Sequence, residues 1–471
     1  MEEGSRIAQA AISGFSWNIA GNLARSLGGF FINILLARIL GPEPFGVVAL
    51  ALLIIGIGNL IIDSGLSAAL IQKENISEKD VVFVFTIQMI FGTLLTLLLI
   101  GIAPWIAKQF LTPESASVLR IMSLMLIFQS FAQVPNALLR RSFNFKKLQI
   151  AQIISFFVGF LGVGFPMALA GTGVWSLVAA QLIQSGLNAL LLFLFSRHPL
   201  IFTLNGSSQL LSFGIRVLGA NIANWLIQYL DQIFVGRQFG PQNLGYYNRA
   251  YFLGSTPANI VLTSAQTSLL SATSRMGKSK ELQIFFKKTM NLFALIFFPT
   301  YCLVALESDS IIRFIYGEKW LPAANVLTPL AIAFPLYMLM GLQGPILNGL
   351  GYPGIETRIQ WFTLVFSFAV LLVASHISLT AVGWSISLVS LLRYLLLSYI
   401  TSNILNLSRK EMFYPLALGL LLVSVISAIR SISFLILPKE ALFVRLSFTF
   451  IATILLVWIG KNWFIRKLIK L

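Results

Sequence analysis

The first long apolar segment of the sequence carries Asn18, Asn22, Arg25, Gly29 and Asn33. Steps of four, three, four and four keep all five on one face of a helix. A second stripe, Asn221, Asn224, Gln228 and Asp231, steps by three, four and three. Carboxamides and a guanidinium on one helix face bind rather than cut. An amide offers a donor and an acceptor together, and the planar fork of an arginine grips an oxyanion through two parallel hydrogen bonds. An arginine near the centre of an apolar segment costs about 2.5–3.5 kcal/mol on insertion scales, so it turns away from lipid. Two roles are open for Arg25. It holds an anion in a water-filled cavity, or it is fixed by an ion pair or hydrogen bonds to another helix.

The two stripes are related. Arg38-Ile39-Leu40-Gly41-Pro42-Glu43-Pro44-Phe45-Gly46 returns as Arg237-Gln238-Phe239-Gly240-Pro241-Gln242-Asn243-Leu244-Gly245. At the same offset Asn22 matches Asn221, Arg25 falls on Asn224 and Ala51 matches Ala250. A repeat of this kind means that one bundle is used twice, with a path for cargo at the seam between the copies. In a two-fold arrangement the two stripes face each other across that seam.

The elements that must carry these residues are membrane helices. Hydrophobic residues make up 57% of the 471 and charged residues only 10%, where a soluble domain has about 25% charged. Fourteen apolar segments, from Ser13–Ala37 to Phe443–Trp463, have the length of about 20 residues that crosses a bilayer. The first is long and carries Arg25 at its middle, so it is expected to stay in the mature protein rather than leave as a signal peptide. The expected fold is an all-α integral membrane protein with about 14 transmembrane helices. Two parallel six-helix bundles, residues 1–200 and 201–405, are related by a pseudo-two-fold axis along the membrane normal, and residues 406–471 add two helices. Six is even, so both halves start from the same side. Lys and Arg concentrate in the N-terminus, the even-numbered loops and the C-terminal tail, which puts both termini in the cytoplasm.

Composition excludes several functions. The net charge of +17 follows from those cytoplasmic loops, so nucleic acid is not the expected partner. The basic run Leu138–Lys147, with Phe143 and Phe145 interleaved, reads as a contact for anionic lipid headgroups. No GxxxxGK[ST] cradle exists to use ATP. Cys302 is the single cysteine and lies in an apolar run, so no internal disulfide forms, and two distant histidines make no metal site. Every loop is short, and only Glu307, Asp309 and Glu318 cluster on the outer side. No catalytic residue and no cofactor are therefore expected.

Other residues qualify for the path. Arg216 either binds cargo or snorkels to the cytoplasmic interface. Arg249, beside Tyr246, Tyr247 and Asn248, contacts cargo or braces the helix. Arg393 is buried in the twelfth segment. Asp231 binds a coupling cation or pairs with an arginine. Asp63, one turn after Asn59, serves the same coupling role, or caps a helix or forms an ion pair.

At these residues the sequence resembles the Wzx-type polysaccharide exporters of the multidrug/oligosaccharidyl-lipid/polysaccharide flippase superfamily, with the colanic-acid exporter branch most alike. The resemblance is carried by Leu40-Gly41-Pro42 with Phe45-Gly46, by Asp63–Gln72, by Leu138-Leu139-Arg140-Arg141 with Phe145-Lys146, and by Gly173–Val178. Leu244–Ala250, Tyr316–Trp320 and Asn348-Gly349-Leu350-Gly351 complete it. The proline that such proteins often carry before the Ser-Arg after helix 8 is missing from Leu269–Arg275, so that helix is expected to run straighter. The resemblance implies alternating access in a bacterial cytoplasmic (inner) membrane. It also implies a cargo of undecaprenyl-diphosphate-linked oligosaccharide, flipped from the inner to the outer leaflet for cell-surface or exopolysaccharide synthesis. Membrane lipids and a polymerase or glycosyltransferases of the same pathway are the partners it suggests. The alternative within the superfamily is a cation-coupled small-molecule exporter, whose site would favour acidic and aromatic residues. Arg25 in the central stripe argues against it.

Overall fold

The computed structural model describes residues 2–110, 115–204 and 208–436, and among them every regular element is helical. The chain is a multi-pass membrane protein. Eleven described helices are long and apolar enough to cross a bilayer. In lipid each backbone N–H and C=O must find a partner inside its own segment, and only a helix does this for a single strand of chain. The span expected at Phe443–Trp463 lies outside the described residues.

Contacts divide the chain into two compact units, Met1–Asn248 and Arg249–Leu471. The first holds α1 (Glu2–Leu40), α2 (Pro42–Asp63), α3 (Leu66–Gln72), α4 (Glu78–Gln109), α5 (Ser115–Met122), α6 (Met125–Arg141), α7 (Phe145–Phe157), α8 (Phe165–Leu169) and α9 (Val174–Phe195). A π-helical turn, Val158–Gly164, joins α7 to α8. There Gly159 and Gly164 let α9 approach until an added Cβ would touch Ala180, the small-residue packing that membrane helices use in place of a hydrophobic drive.

The unit also takes the first part of α10 (Ser208–Met276), whose boundary with the second unit follows Asn248. Both helices expected from the repeat, Leu210–Val235 and Leu244–Leu270, lie in α10. They are run together across a kink at Gly240. Helix continues to Met276, through the stretch that lacks the family proline.

Local sequence sets the ends of these helices. Ser77 and Asp80 form a reciprocal capping box at the start of α4, and Lys73 Nζ reaches Asp80 Oδ2 at 2.7 Å. Arg141 donates to the carbonyl oxygens of Leu70, Ile71, Lys73 and Glu74, closing the C-terminal end of α3. One cation of the basic run is thus committed to structure rather than to lipid headgroups. Beyond α9 the chain tucks His198 against the rings of Phe85 and Phe193, with centroids at 4.8 and 5.5 Å. Burial there lowers the imidazole below its ordinary range, against a hydrogen bond to the Pro199 carbonyl that favours the charged form.

The second unit continues with α11 (Lys280–Leu306), α12 (Ser308–Ile315), a 3-10 turn (Glu318–Ala323), α13 (Ala324–Gly341), α14 (Gln343–Gly349), α15 (Pro353–Ile377), α16 (Leu379–Leu405) and α17 (Arg409–Ile436). Its interior is built on Trp320, Tyr316, Tyr394 and Phe286, all fully buried. α13 packs on α11 and α16, and α11 on α17.

The repeated motif has one backbone shape in both places. Gly41 has φ 77° and ψ −176°, and Gly240 has φ 76° and ψ −179°. This region is open essentially to glycine alone. The corners also touch each other. A Cβ on Gly46 would overlap the Pro241 carbonyl, and a Cβ on Gly245 would overlap the Pro42 carbonyl. Each copy therefore presents to the other the surface that it receives, the mark of a local two-fold axis. A backbone carbonyl cannot swing aside as a side chain can. We expect Gly46→Ala and Gly245→Ala each to cost about 1–3 kcal/mol by overpacking, read as a lower melting temperature of the purified protein in detergent. Wild-type melting of both variants would refute the close contact.

Candidate functional site

α1 lies on α7, with Gly21 against Gln149 and Gly28 against Phe157. Asn22 and Arg25 of the stripe sit between these two glycine contacts. Arg25 is half-buried and Asn22 exposed. Arg25 Nη1 donates to Gln152 Oε1 of α7 at 2.5 Å, and Nη2 donates to Asn22 Oδ1 at 2.8 Å. Among the described residues no carboxylate lies within ion-pair distance of Arg25. Two neutral amides hold the fork in place and leave its charge uncompensated. A fixed guanidinium with neutral neighbours is the arrangement that attracts an anion. Further along the face, Asn33 donates to the Gly29 carbonyl at 2.8 Å and serves its own helix. The side chains of Asn18 and Arg216 lie outside those described.

The second stripe carries amides where the first has arginine. Asn221 is half-buried, and Asn224, at the repeat position of Arg25, is exposed. Asp231 is buried. Its Oδ2 accepts from Tyr247 Oη at 2.5 Å and its Oδ1 from the backbone N–H of Gln232 at 2.8 Å, while Asn248 Nδ2 donates to Gln232 Oε1 at 3.1 Å. The tyrosine and asparagine come from the Tyr-Tyr-Asn-Arg sequence beyond the kink at Gly240. Among the described residues Asp231 is thus engaged by a hydroxyl and a backbone N–H and not by an arginine.

Near the other end of α2 lies a small polar network. Gln88 Nε2 donates to Ser67 Oγ, Ser67 Oγ to Gln133 Oε1, and Gln133 Nε2 to Asn59 Oδ1. Asp63 follows Asn59 by one turn, and its buried Oδ1 has no hydrogen-bond partner.

The two remaining candidate arginines, Arg249 and Arg393, belong to the second unit. The Arg249 guanidinium stands 5.2 Å from the Phe252 ring centroid, a cation–π contact. Arg393 Nη2 meets Glu356 Oε1 at 2.9 Å, the two side chains being 14% and 11% exposed. Arg393 and Glu356 line a cavity of about 400 Å³. Unlike Arg25, Arg393 has its charge balanced.

Sequence reasoning missed Gln152 and Glu356. Gln149 and Gln152, three apart at the start of an apolar segment, were a visible signal for the first. Glu356 follows a Pro-Gly corner and reads from sequence as an interfacial residue.

A family model described as polysaccharide biosynthesis protein matches residues 35–325. The teichuronic acid biosynthesis protein TuaB of Bacillus subtilis is 26% identical over 363 residues, covering 75% of this chain and 74% of that protein. The succinoglycan biosynthesis transport protein ExoT of Rhizobium meliloti is 28% identical over 363 residues, covering 75% and 72%. The lipopolysaccharide biosynthesis protein WzxC of Escherichia coli is 23% identical over 352 residues, covering 73% and 69%. Among solved structures, the lipid II flippase MurJ in an inward closed conformation superposes with a TM-score of 0.76 at 16% identity, covering 97% of this chain and all of that one. An inward-facing multidrug resistance MATE family transporter gives 0.61 at 16% identity, covering 84% and 98%. At such identity these two establish the fold alone.

Proposed function

We propose that this chain, which belongs to the polysaccharide biosynthesis protein family, is a flippase for undecaprenyl-diphosphate-linked oligosaccharide in the bacterial cytoplasmic membrane. It carries repeat units from the cytoplasmic to the outer leaflet and performs no covalent step. The observation that carries this reading is Arg25, fixed by Gln152 and Asn22 with no carboxylate beside it among the described residues. Relatives named for teichuronic acid, succinoglycan and lipopolysaccharide synthesis support the glycan class of the cargo.

Unassisted flipping fails because each bare hydroxyl costs about 2–7 kcal/mol in hydrocarbon and a charge far more. The protein supplies a polar, cationic cleft that opens to one side at a time. Arg25 takes the diphosphate, and Asn18, Asn22, Asn221 and Asn224 take polar groups next to it. Arg216 and Arg249 add positive charge along the route. The lipid tail stays in the bilayer.

Both termini are cytoplasmic, which puts the Gly41 and Gly240 corners at the outer face. Their contact closes that end, and release of cargo requires them to part. An interior-negative potential contributes about 2.3 kcal/mol per charge per 100 mV to the outward movement of an anion. Asp231 and Asp63 are the groups through which H⁺ or Na⁺ would couple. Asp231 is the better placed, since Tyr247 already holds it in position.

Deleting the gene is expected to leave intact lipid-linked repeat units in the inner leaflet and to stop polymer reaching the surface. Extraction of undecaprenyl-linked glycans, with their accessibility to an external glycosidase in intact cells, measures both. Normal surface polymer with no lipid-linked intermediate would refute the reading. A change limited to drug efflux would assign the chain to small-molecule export.

A further inference from the structure

Residues 199–204, between α9 and α10, form no regular element. By sequence they fall in a short loop between two spans, where water is the expected neighbour. Yet Leu200, Ile201, Phe202 and Leu204 are 51%, 61%, 64% and 67% exposed. Four large apolar side chains, interrupted only by Thr203, form a patch and not the scattered singles of an ordinary surface.

Their depth follows from what holds them. The backbone N–H of Thr203 donates to Thr86 Oγ1 of α4 at 3.0 Å. The Phe202 ring lies 5.8 Å from the Phe85 ring, on which His198 also packs. The 32 residues of α4 reach about 48 Å, close to the about 40–45 Å of a whole bilayer, so Glu78 stands near its aqueous edge. Thr86 is about 12 Å further along, and the headgroup layer is only about 5–8 Å deep. The segment therefore crosses α4 at the boundary between headgroups and hydrocarbon.

The surface of α4 says what lies outside it. Thr86 is buried. Ile90, Thr93 and Leu97 follow at steps of four, three and four, on the same helix face, and all three are exposed. Leu94 and Leu98 widen this face, which carries no charge and is of the kind that lipid covers. The segment lies over the start of that face, so its outer side meets what the face meets.

We propose that residues 200–204 are an interfacial anchor, whose partner is the lipid of the leaflet in which α4 begins. The boundary suits an irregular backbone, since headgroups and their water satisfy peptide groups that hydrocarbon would leave bare. Arg197 is exposed and precedes the apolar run, as a cation at the headgroup level does. The proposal is independent of the flippase reading.

Cys302 is the single cysteine and is buried, so a Cys302→Ala background lets one introduced thiol carry a nitroxide. Ile201→Cys, Leu204→Cys and Arg197→Cys are made in the full-length chain and placed in vesicles of phosphatidylcholine and phosphatidylglycerol. Power saturation compares access of oxygen, which concentrates in the bilayer, with that of a water-soluble nickel chelate. Oxygen is expected to dominate at positions 201 and 204, and the chelate at 197. Dominance of the chelate at 201 and 204 would put the segment in water. Low access of both reagents there would mean that protein covers it. Either result, or no contrast with position 197, overturns the anchor. Should the background variant not fold, the wild-type chain is photolabelled in the same vesicles by a lipid with a diazirine near its headgroup. Label is expected on residues 200–204, and its absence there overturns the proposal.

Discussion

Arg25→Ala is expected to lower polymer export by about a hundredfold or more, while the protein is made, inserted and folded as before. The size follows from what the fork would hold. A hydrogen bond to a charged group contributes about 1.5–3 kcal/mol, and an arginine on a phosphate makes two. Each 1.36 kcal/mol is a factor of ten in rate. The protein itself loses little, because among the described residues Arg25 bonds to two neutral amides, and one of them, Asn22, is exposed. Arg25→Lys keeps the charge and loses the planar fork, so it should retain part of the export. Surface polymer measured in a deletion strain carrying each variant, with membrane levels checked in parallel, reads the result. Full export by a well-folded Arg25→Ala protein would remove Arg25 from the transport path.

Glu356→Gln should destabilise the chain by about 3–5 kcal/mol, the cost of leaving a buried partner charge uncompensated. Arg393 is 14% exposed and Glu356 11%, so water screens the pair poorly. Removing both charges behaves differently. Glu356→Gln combined with Arg393→Gln leaves no orphan ion, and its melting temperature should return most of the way to wild type. The cycle of two single variants and the double, followed by thermal unfolding in one detergent, measures the coupling. Equal and additive losses would mean that the two groups act independently. The contrast with Arg25 is the useful point. The paired arginine is expected to fail through stability, and the arginine with no carboxylate beside it among the described residues through transport, so the two substitutions test which charge is structural and which is functional.

Much of this was legible in the order of residues. Apolar composition dictated helices in lipid, because no other element satisfies a single strand's backbone there. The recurrence of Arg-x-x-Gly-Pro with its distant glycine announced a duplicated unit, and both glycines indeed take the same glycine-only conformation. The polar stripe of the first helix was visible as a period, since 3.6 residues per turn is a local property. What periodicity could not give was the partner of any side chain. Arg25, Arg249 and Arg393 look alike as isolated cations in apolar sequence. Folding sends the first to Gln152, 127 residues away, the second to a phenylalanine ring one turn along, and the third to a carboxylate 37 residues back. Asp231 likewise could not be matched to Tyr247 across a kink whose angle no local signal sets. Whether a buried charge is free to bind or already neutralised depends on which atoms lie within a few ångströms, and that distance is a property of packed helices, not of the chain that forms them.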